Sequence, residues 1–430
     1  MNPPSLAGHA IELIEILLRD KRPADQLIDS FFRQRRYLGS HDRRELAESA
    51  YGILRNLRLL QELVGLVKPS AAAQPAWLFA AYKLHVEKKP QATIKDFALA
   101  LSDADLVSLA AQQVDVVAGK NIGVRLSFPD WLVVALQQQM GEAESTKLLE
   151  SLNQPPPLTI RVNTIKASRE GCLRELQQRG FECAPSKFSP DGIHLSKRSN
   201  LFSLDLFRDG WFELQDEGSQ IISLLVDPKP TWRIADVCAG GGGKTLHIAA
   251  LMKNRGEIFA FDVIPRRLEN LQKRARRSGV HNVRTQLLQE NEIPAHLLGK
   301  LDAILIDAPC SGTGVLRRNP DAKWKISPEM IQEMTEKQKN ILRNYAPLLK
   351  PGGRLVYATC SLLREENEEV AEAFLNEQSD FQIAQADEIL RRYDLAKLTI
   401  GSHIHLLPYL HGCDGFFAAV LERVVPALVA

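Results

Sequence analysis

The chain has 430 residues, of which 45% are hydrophobic and 25% are charged. This composition is typical of a folded globular protein, and the length predicts two or three domains. No apolar run reaches the roughly 18 residues that a membrane span needs. The first apolar stretch of the sequence is interrupted by Glu12 and Glu15, whereas a secretory signal has an unbroken apolar run. A cytoplasmic location is therefore expected. Because the net charge is only +2, any affinity for nucleic acid must come from local patches.

Residues 1–150 predict an all-α domain. Apolar residues recur at helical spacing, as in Leu13, Ile16 and Leu17, and prolines separate the later apolar stretches. One basic cluster comprises Arg33, Arg35, Arg36, Arg43 and Arg44. Its charge alone favours a solvated helix face.

Two further regions follow. The proline-rich stretch 154–157 predicts a stiff linker, and the short strands and single helix over residues 151–225 predict a small α+β module. Over residues 226–430 strands and helices alternate, which predicts a doubly wound, mostly parallel sheet of the α/β class.

A glycine run directly follows the first strand of the predicted sheet. It spans residues 240–243, and Asp262 lies at the end of the next strand, where an acid accepts hydrogen bonds from ribose hydroxyls in nucleoside-binding sheets. A phosphate loop would need glycine at Cys238, and a dinucleotide fingerprint would need glycine at Thr245. The pattern therefore disfavours an ATPase and favours an adenosine-containing ligand without a pyrophosphate, such as S-adenosylmethionine.

Two of the six cysteines occupy matching places. The six form no C-x-x-C pair, so no zinc site is predicted, and the cytoplasm would keep them reduced. Cys310 and Cys360 each follow a predicted strand, and Asp307 precedes Cys310 by three residues. The carboxyl ends of parallel strands meet at one crevice, which here also holds the glycine loop. Buried cysteines are often inert small residues, but two strand-end thiols beside an acid favour a catalytic pair.

At this point the sequence resembles a known family. DVCAGGGGKT, LIDAPCSGTGVLRRNPDAKW, LLKPGGRLVYATCS and DGFFAAVLER are similar to motifs of the RsmB/Fmu/Sun family of RNA cytosine-5 methyltransferases, over about residues 151–430. LGSHDRRELAESAYGILRNLR resembles the NusB-like RNA-binding domain of its bacterial ribosomal members. The resemblance implies a Rossmann-like S-adenosylmethionine-dependent methyltransferase domain, preceded by a small α+β module and an all-α NusB-like domain. The implied substrate is 16S rRNA, with tRNA or 23S rRNA as alternatives.

The resemblance also implies roles for individual residues. Cys360 is the expected nucleophile, because a thiolate added at carbon 6 of cytosine makes carbon 5 reactive toward a methyl group. Cys310 is expected to assist release of the RNA, whereas DNA cytosine-5 methyltransferases use the cysteine of this Pro-Cys motif as nucleophile. Asp307 is expected to contact the base near ring nitrogen 3 and to border the cofactor. The full set expected around S-adenosylmethionine is Cys238, Ala239, Gly240, Gly241, Gly242, Gly243, Lys244, Thr245, Asp262, Glu290 and Asp307.

The sequence departs from the family pattern at two places. Gly240-Gly241 stands where the family commonly has Ala-Pro, and Glu290 where it often has aspartate. A non-catalytic RNA-binding or ribosome-assembly factor that kept the fold is therefore the alternative hypothesis. We expect no metal, no membrane partner and a monomer.

Several other polar residues leave two interpretations open. The basic residues around Trp324 would either contact RNA phosphates or form a solvated loop, and Gln215-Asp216 would either pack or line the site. His247 is expected to be packed or exposed rather than a base. The basic residues around Trp324 are Arg317, Arg318, Lys323 and Lys325. The helix expected to present an exposed basic face carries Arg266, Arg267, Lys273, Arg274, Arg276 and Arg277.

Overall fold

The computed structural model describes residues 1–119, 121–197, 199–290, 292–400 and 402–425. The chain divides into two compact units, here called unit 1 and unit 2. Unit 1 comprises Met1–Pro155 and Leu316–Ile326, and unit 2 comprises Pro156–Val315 and Ser327–Ala430. The division into domains 1–150, 151–225 and 226–430 stays a prediction, and it did not include the return of residues 316–326 to unit 1.

Unit 1 consists of helices and loops in its described part. The first helix begins at Pro3, and the side chain of Asn2 caps it by accepting a hydrogen bond from the Ser5 N–H at 3.0 Å. Residues at helical spacing, such as Leu13 and Leu17, are buried in the core. The α-helices of this unit are α1 (Pro3–Arg19), α2 (Ala24–Gln34), α3 (Ser40–Arg55), α4 (Leu57–Val67), α5 (Pro75–Ala81), α6 (Gln91–Lys95), α7 (Asp103–Ala110), α8 (Val114–Ala118), α9 (Ile122–Arg125), α10 (Asp130–Met140) and α11 (Glu142–Leu152).

Unit 2 begins with a small antiparallel sheet. The strands are β1 (Leu158–Val162), β2 (Cys183–Pro185), β3 (Gly192–Leu195) and β4 (Phe212–Leu214), in the spatial order β2-β3-β1-β4. Two helices accompany it, α12 (Arg169–Gln178) and α13 (Asp205–Arg208). The predicted α+β character of this region is confirmed.

A larger mixed sheet forms the rest of unit 2. Its strands within the described residues are β5 (Arg233–Asp236), β6 (Glu257–Asp262), β7 (Val283–Leu287), β8 (Leu301–Asp307), β9 (Leu349–Thr359), β10 (Phe381–Ile383), β11 (Thr399–Ile400), β12 (His403–Leu406) and β13 (Phe416–Arg423). The order is β11-β12-β13-β9-β8-β5-β6-β7, with β10 paired to β13. Strands β5 to β9 pair in parallel, whereas β10 to β13 pair antiparallel. The chain order reverses between β8 and β5, which is where open α/β sheets bind ligands.

Both faces of this sheet are buried. Ile234 and Ala235 are adjacent on β5 but belong to different apolar clusters, as expected when successive side chains point to opposite faces. The helices of this part are α14 (Glu217–Leu225), α15 (Gly243–Leu251), α16 (Pro265–Ser278), α17 (Pro328–Tyr345), α18 (Glu368–Glu377), α19 (Ala386–Leu390) and α20 (Pro408–His411). The predicted Rossmann-like fold is confirmed. None of the described helices has both the length and the apolarity to cross a bilayer.

Candidate functional site

The loop after β5 depends on glycines. Gly240 and Gly242 have φ of +55° and +82°, and a Cβ at position 242 would lie 2.5 Å from Cγ of Leu271. Only glycine fits this turn without displacing its neighbours. The chain then enters α15, so the loop backbone lies at the carboxyl end of the sheet, as in nucleoside-binding folds.

Asp262 ends β6 and holds this loop. Its Oδ2 accepts a hydrogen bond from the Gly240 N–H at 2.9 Å, and its Oδ1 accepts one from the Ile264 N–H at 2.8 Å. Arg267 approaches the same carboxylate, with 3.6 Å between Nη1 and Oδ2. These contacts hold the side chain of Asp262, the residue that the sequence predicted as a ribose ligand, in one orientation.

Asp236 is a further acid at this end of the sheet, and sequence reasoning missed it. It ends β5 and accepts a hydrogen bond from Thr245 Oγ1 at 2.6 Å. Burial raises the pKa of Asp236 to about 7. Among the described residues its Oδ1 has no hydrogen-bond partner. Its position directly before the glycine loop, at a strand end, was the signal that could have found it.

A cavity of about 960 Å³ lies beside the glycine loop in unit 2. Helix α17 contributes Met334, Lys337 and Asn340 to its wall. The predicted site residues that line it are Cys238, Gly240, Gly241, Asp262, Glu290, Asp307 and Cys310. The predicted residues outside its lining are Ala239, Gly242, Gly243, Lys244, Thr245 and Cys360. In the described part of the chain, no group of three or more His, Cys, Asp or Glu side chains is arranged to hold a metal ion.

Glu290 lies at the rim of this cavity and is paired. Its Oε1 is 2.6 Å from Nζ of Lys337 on α17, and this lysine lowers the pKa of Glu290. Both side chains are exposed, so the pair is worth little to stability. The carboxylate that the resemblance associated with the cofactor therefore has a partner on α17.

Cys310 and Cys360 are brought into direct contact. Cys310 follows β8, Cys360 follows β9, and the two strands are parallel neighbours. The two Sγ atoms are 3.4 Å apart, and both residues are half-buried. The hydrogen bond with Cys360 and burial raise the pKa of Cys310 well above its usual value. The raised pKa favours the protonated thiol at Cys310.

Lys244 places a positive charge near this pair. Its Nζ donates to Asp307 Oδ2 at 2.7 Å and lies 5.3 Å from the centre of the Phe416 ring. Burial lowers the pKa of Lys244, but the charge of Asp307 and the hydrogen bond with it outweigh burial and raise the pKa above its usual value.

A buried carboxylate fixes the loop that carries Cys310. Oε1 of Glu366 accepts hydrogen bonds from the Ser311 N–H at 2.8 Å and from Gln338 Nε2 at 3.0 Å. Oε2 of Glu366 accepts one from Ser311 Oγ at 2.5 Å. Gln338 also donates to the carbonyl of Pro309 at 2.9 Å. Sequence reasoning missed Glu366, which stands among other acidic residues with no distinguishing signal.

A parallel set of contacts fixes the loop that carries Cys360. Thr359 Oγ1 donates to Asn367 Oδ1 at 2.5 Å, and Asn367 Nδ2 donates to the Ser361 carbonyl at 3.1 Å. The hydroxyls of Ser361 and Thr313 are 3.2 Å apart, which links this loop to the one after Cys310. The spacing of the two sulfur atoms is therefore set by buried hydrogen bonds.

The expectations for the basic residues around Trp324 were wrong for two of them. Lys323 is only 1% exposed and Arg317 only 4% exposed, so neither is a solvated loop residue or free to contact RNA. Lys323 is buried within unit 1, where backbone and amide oxygens accept its protons.

The basic helix α16 is only partly an exposed face. Arg274 and Arg277 both contact the buried carboxylate of Glu213, at 3.1 Å and 2.5 Å. The other four basic residues are exposed as expected, namely Arg266, Arg267, Lys273 and Arg276.

Gln215, Asp216 and His247 have packing roles. Gln215 Oε1 accepts from the buried Arg161 Nε at 2.6 Å, and Asp216 caps α14 by accepting from the Gly218 N–H at 2.8 Å. His247 is fully buried, with Nε2 at 3.1 Å from Asp191 Oδ2.

Family models match most of unit 2. The model for 16S rRNA methyltransferase RsmB/F matches residues 223–422, and the model for the ferredoxin-like domain of RsmF/B-like methyltransferases matches residues 128–201. The probable ribosomal RNA small subunit methyltransferase B of Synechocystis is 32% identical over 445 residues, which span 96% of this chain and 99% of that protein.

Solved structures show the same fold. The crystal structure of PH0851 is 26% identical with a TM-score of 0.79, and the match covers 98% of this chain and 99% of that one. A methyltransferase homologue from Pyrococcus horikoshii is 29% identical with a TM-score of 0.61, covering 70% of this chain and 97% of that one.

Proposed function

Because the chain belongs to the RsmB/F family of 16S rRNA methyltransferases, we propose that it methylates carbon 5 of one cytosine in small-subunit rRNA. S-adenosylmethionine is the proposed methyl donor, and the reaction runs through a transient bond between Cys360 Sγ and carbon 6. An rRNA substrate places this activity in the cytoplasm. The contact between Cys310 and Cys360 carries the proposal, because it places a thiol with a raised pKa 3.4 Å from a second sulfur that the proposal makes the nucleophile.

The cavity fits the donor. Gly240 and Gly241 line the cavity without side chains, so a ligand can come close to their backbone. The carboxylates of Asp262, Glu290 and Asp307 also line it and supply acceptors for ribose hydroxyls and for a cationic centre. S-adenosylmethionine, when bound there, supplies an electrophilic methyl group. The other residues of the predicted set shape the loop or, in the case of Lys244, orient Asp307.

The first step belongs to Cys360. The thiolate electron pair forms the S–C6 bond, and the electrons of the C5–C6 double bond move toward ring nitrogen 3, so that carbon 5 becomes enamine-like. Nitrogen 3 takes up a proton from solvent as the S–C6 bond forms. The carboxylate of Asp307, held by Lys244 and lining the cavity, is proposed to accept a hydrogen bond from the resulting N3–H. A cytosine can reach the sulfur only outside its helical stack, so a flipped or single-stranded target is expected.

Release reverses the addition. After methylation carbon 5 and nitrogen 3 each lose a proton to solvent, the C5–C6 double bond forms again, and the C6–S bond breaks with its electron pair returning to Cys360. Cys310 Sγ, at 3.4 Å, is the proposed hydrogen-bond donor to the departing sulfur. A serine at position 310 would then slow release more than addition.

The helical unit 1 is proposed to bind RNA. Its exposed side includes Arg36, Tyr37 and His41, which offer charge and an aromatic face on which a base could stack.

A product assay tests the proposed reaction. The full-length protein is incubated with small-subunit rRNA and S-adenosylmethionine labelled in its methyl group, and the RNA is digested to nucleosides. The label should appear in 5-methylcytidine and should disappear with Cys360→Ser. Label in another nucleoside, or an unchanged yield with Cys360→Ser, would refute the proposal. RNA binding without any transfer would instead support a non-catalytic assembly factor.

A further inference from the structure

An eleven-residue stretch of the chain, residues 316–326, belongs to unit 1, and a buried lysine is among the residues that hold it there. Lys323 Nζ donates to the Arg55 carbonyl at 2.9 Å, to the Ser127 carbonyl at 3.0 Å and to Asn153 Oδ1 at 2.8 Å. This stretch is called the inserted segment below. Its lysine therefore joins three distant parts of the helical unit.

Burial and the charge of Arg55 lower the pKa of Lys323, but the hydrogen-bond partners around its Nζ are those that an ammonium group needs. An ammonium has three N–H donors, and the three oxygens accept all of them. The ring of Phe128 lies 4.0 Å from Nζ, within the range of a cation–π contact. All three acceptors are uncharged. Removing the lysine would leave buried acceptors without donors, which is costly.

Neighbouring residues of the segment are held as well. Trp324 Nε1 donates to the Leu54 carbonyl at 2.8 Å. Asp321 Oδ2, also buried, accepts from the Ala24 N–H at 3.0 Å and from Lys325 Nζ at 2.8 Å. The segment therefore behaves as an integral part of unit 1.

The N-terminal end of the segment leads directly to Cys360. Gly314, two residues before the segment, donates its N–H to the Cys360 carbonyl at 2.8 Å and accepts from the Gly415 N–H at 2.9 Å. A Cβ at Gly314 would lie 2.3 Å from the Gly415 oxygen, so these backbones are in close contact. Only Val315 separates Leu316 from Gly314. A displacement of Leu316 would therefore be transmitted to the main chain of Cys360 through the Gly314 hydrogen bond.

The C-terminal end leads to the cavity. Ser327 follows the segment and caps α17 by accepting from the Met330 N–H at 3.4 Å. The same helix lines the cavity with Lys337 and, through Gln338, contacts the carbonyl of Pro309 next to Cys310. Both ends of the segment thus enter elements that build the candidate site.

We propose that Lys323 is a positioning residue for the methyl transfer, because it anchors the inserted segment in unit 1 and so fixes the Gly314–Cys360 contact and the start of α17. The proposal rests on the proposed function for its kinetic consequence. Its structural consequence, the order of the backbone at Gly314 and Cys360, can be measured without turnover.

Lys323→Met in the full-length protein tests this, with Lys83→Met as the matched control. Lys83 is also a buried lysine of unit 1, with 1% exposure and hydrogen bonds to Ser49 Oγ and Glu87 Oε1 at 3.1 and 2.8 Å, but it lies outside the inserted segment. Both substitutions remove a buried ammonium from the same unit. Only the first should affect the cysteine site.

The first measurement is amide hydrogen exchange of the free protein, read by mass spectrometry. Peptides that cover residues 312–316 and 360–364 should exchange faster in Lys323→Met than in wild type, and at the wild-type rate in Lys83→Met. Equal exchange in all three proteins, or equal acceleration by both variants, would overturn the proposal. Because this result needs no catalysis, it stands even if the wild-type protein transfers no methyl group.

The second measurement is steady-state kinetics. Lys323→Met should lower kcat roughly tenfold or more, since small misplacements of a nucleophile are costly, while KM for RNA changes less than about twofold. A change in KM alone would overturn the positioning role. If Lys323→Met does not fold, Trp324→Phe removes the hydrogen bond to Leu54 and part of the packing of the ring against the core of unit 1, and a smaller change of the same kind is expected. Wild-type exchange and kcat in Trp324→Phe would then contradict the proposal.

Discussion

Cys310 Sγ lies 3.4 Å from Cys360 Sγ, although fifty residues separate the two cysteines. The contact is asymmetric, because the hydrogen bond with Cys360 and burial raise the pKa of Cys310. The raised pKa favours the protonated thiol at Cys310. This asymmetry distinguishes two residues that the sequence places at equivalent strand ends.

The asymmetry predicts an order of alkylation. Thiolates react with iodoacetamide and thiols do not. The raised pKa of Cys310 should therefore make it react more slowly than Cys360 at neutral pH. Peptide mass spectrometry at short times would show this order. In Cys360→Ser, Cys310 should remain slow to react, because it stays buried. Faster modification of Cys310 than of Cys360 in wild type would contradict the raised pKa of Cys310.

Glu366→Gln should loosen the loop that carries Cys310. Both oxygens of the Glu366 carboxylate accept hydrogen bonds from donors. In glutamine one of these oxygens becomes an NH₂ group, which cannot accept, so the free energy of unfolding should fall by about 3 kcal/mol. Single-turnover methyl transfer should also slow. Urea unfolding and rapid-quench kinetics measure the two effects.

Glu365→Gln is the matched control for this change. Glu365 is the preceding residue and is exposed, so its substitution should alter stability by no more than about 0.5 kcal/mol. Similar losses in both variants would show that Glu366 has no special structural role.

The raised pKa of Asp236 should make the free energy of unfolding depend on pH. Burial raises its folded-state pKa from 3.8 to about 7, so the folded protein holds a proton that the unfolded chain releases. Wild-type stability should therefore fall as pH rises from about 4 to about 7 and then level off. Asp236→Asn mimics the protonated acid and should gain up to about 4 kcal/mol relative to wild type across this range. Urea unfolding at several pH values tests this, and parallel pH profiles for the two proteins would disprove it.

Asp262→Asn should weaken the binding of S-adenosylmethionine. In wild type the two carboxylate oxygens of Asp262 accept from the N–H groups of Gly240 and Ile264. The amide of asparagine has only one acceptor oxygen, so one of these hydrogen bonds would be lost. We expect the Kd to rise about 10- to 100-fold, equivalent to about 1–3 kcal/mol. Isothermal calorimetry measures this, with Glu269→Gln on the exposed side of α16 as control. An unchanged Kd for Asp262→Asn would exclude this acid as a cofactor ligand.

The main features of the sheet were predictable from sequence because they are local. Strand and helix patterns alternate, so the glycine loop, Asp262 and the residues after β8 and β9 had to meet at one edge. The contact between Cys310 and Cys360 follows from the parallel pairing of these two strands.

The rest depended on contacts far apart in sequence. Lys323 was expected either to contact RNA phosphates or to lie in a solvated loop, but its three acceptors come from positions 55, 127 and 153. Nothing in the sequence distinguishes Glu366 or Glu213 from other acidic residues, yet each is the buried centre of a hydrogen-bond network. Charge patterns along the chain cannot reveal which carboxylates and ammonium groups are buried by partners from other elements.

Trapping the covalent intermediate tests the central role of Cys360 most directly. Cys310→Ser is incubated with rRNA and S-adenosylmethionine, the mixture is denatured, and the protein bound to RNA is digested and mapped by mass spectrometry. We predict a stable adduct in which a cytosine is linked to Cys360, and no adduct when Cys360→Ser is added to Cys310→Ser. An adduct on another residue, or full methyl transfer by the Cys360→Ser protein, would contradict the account.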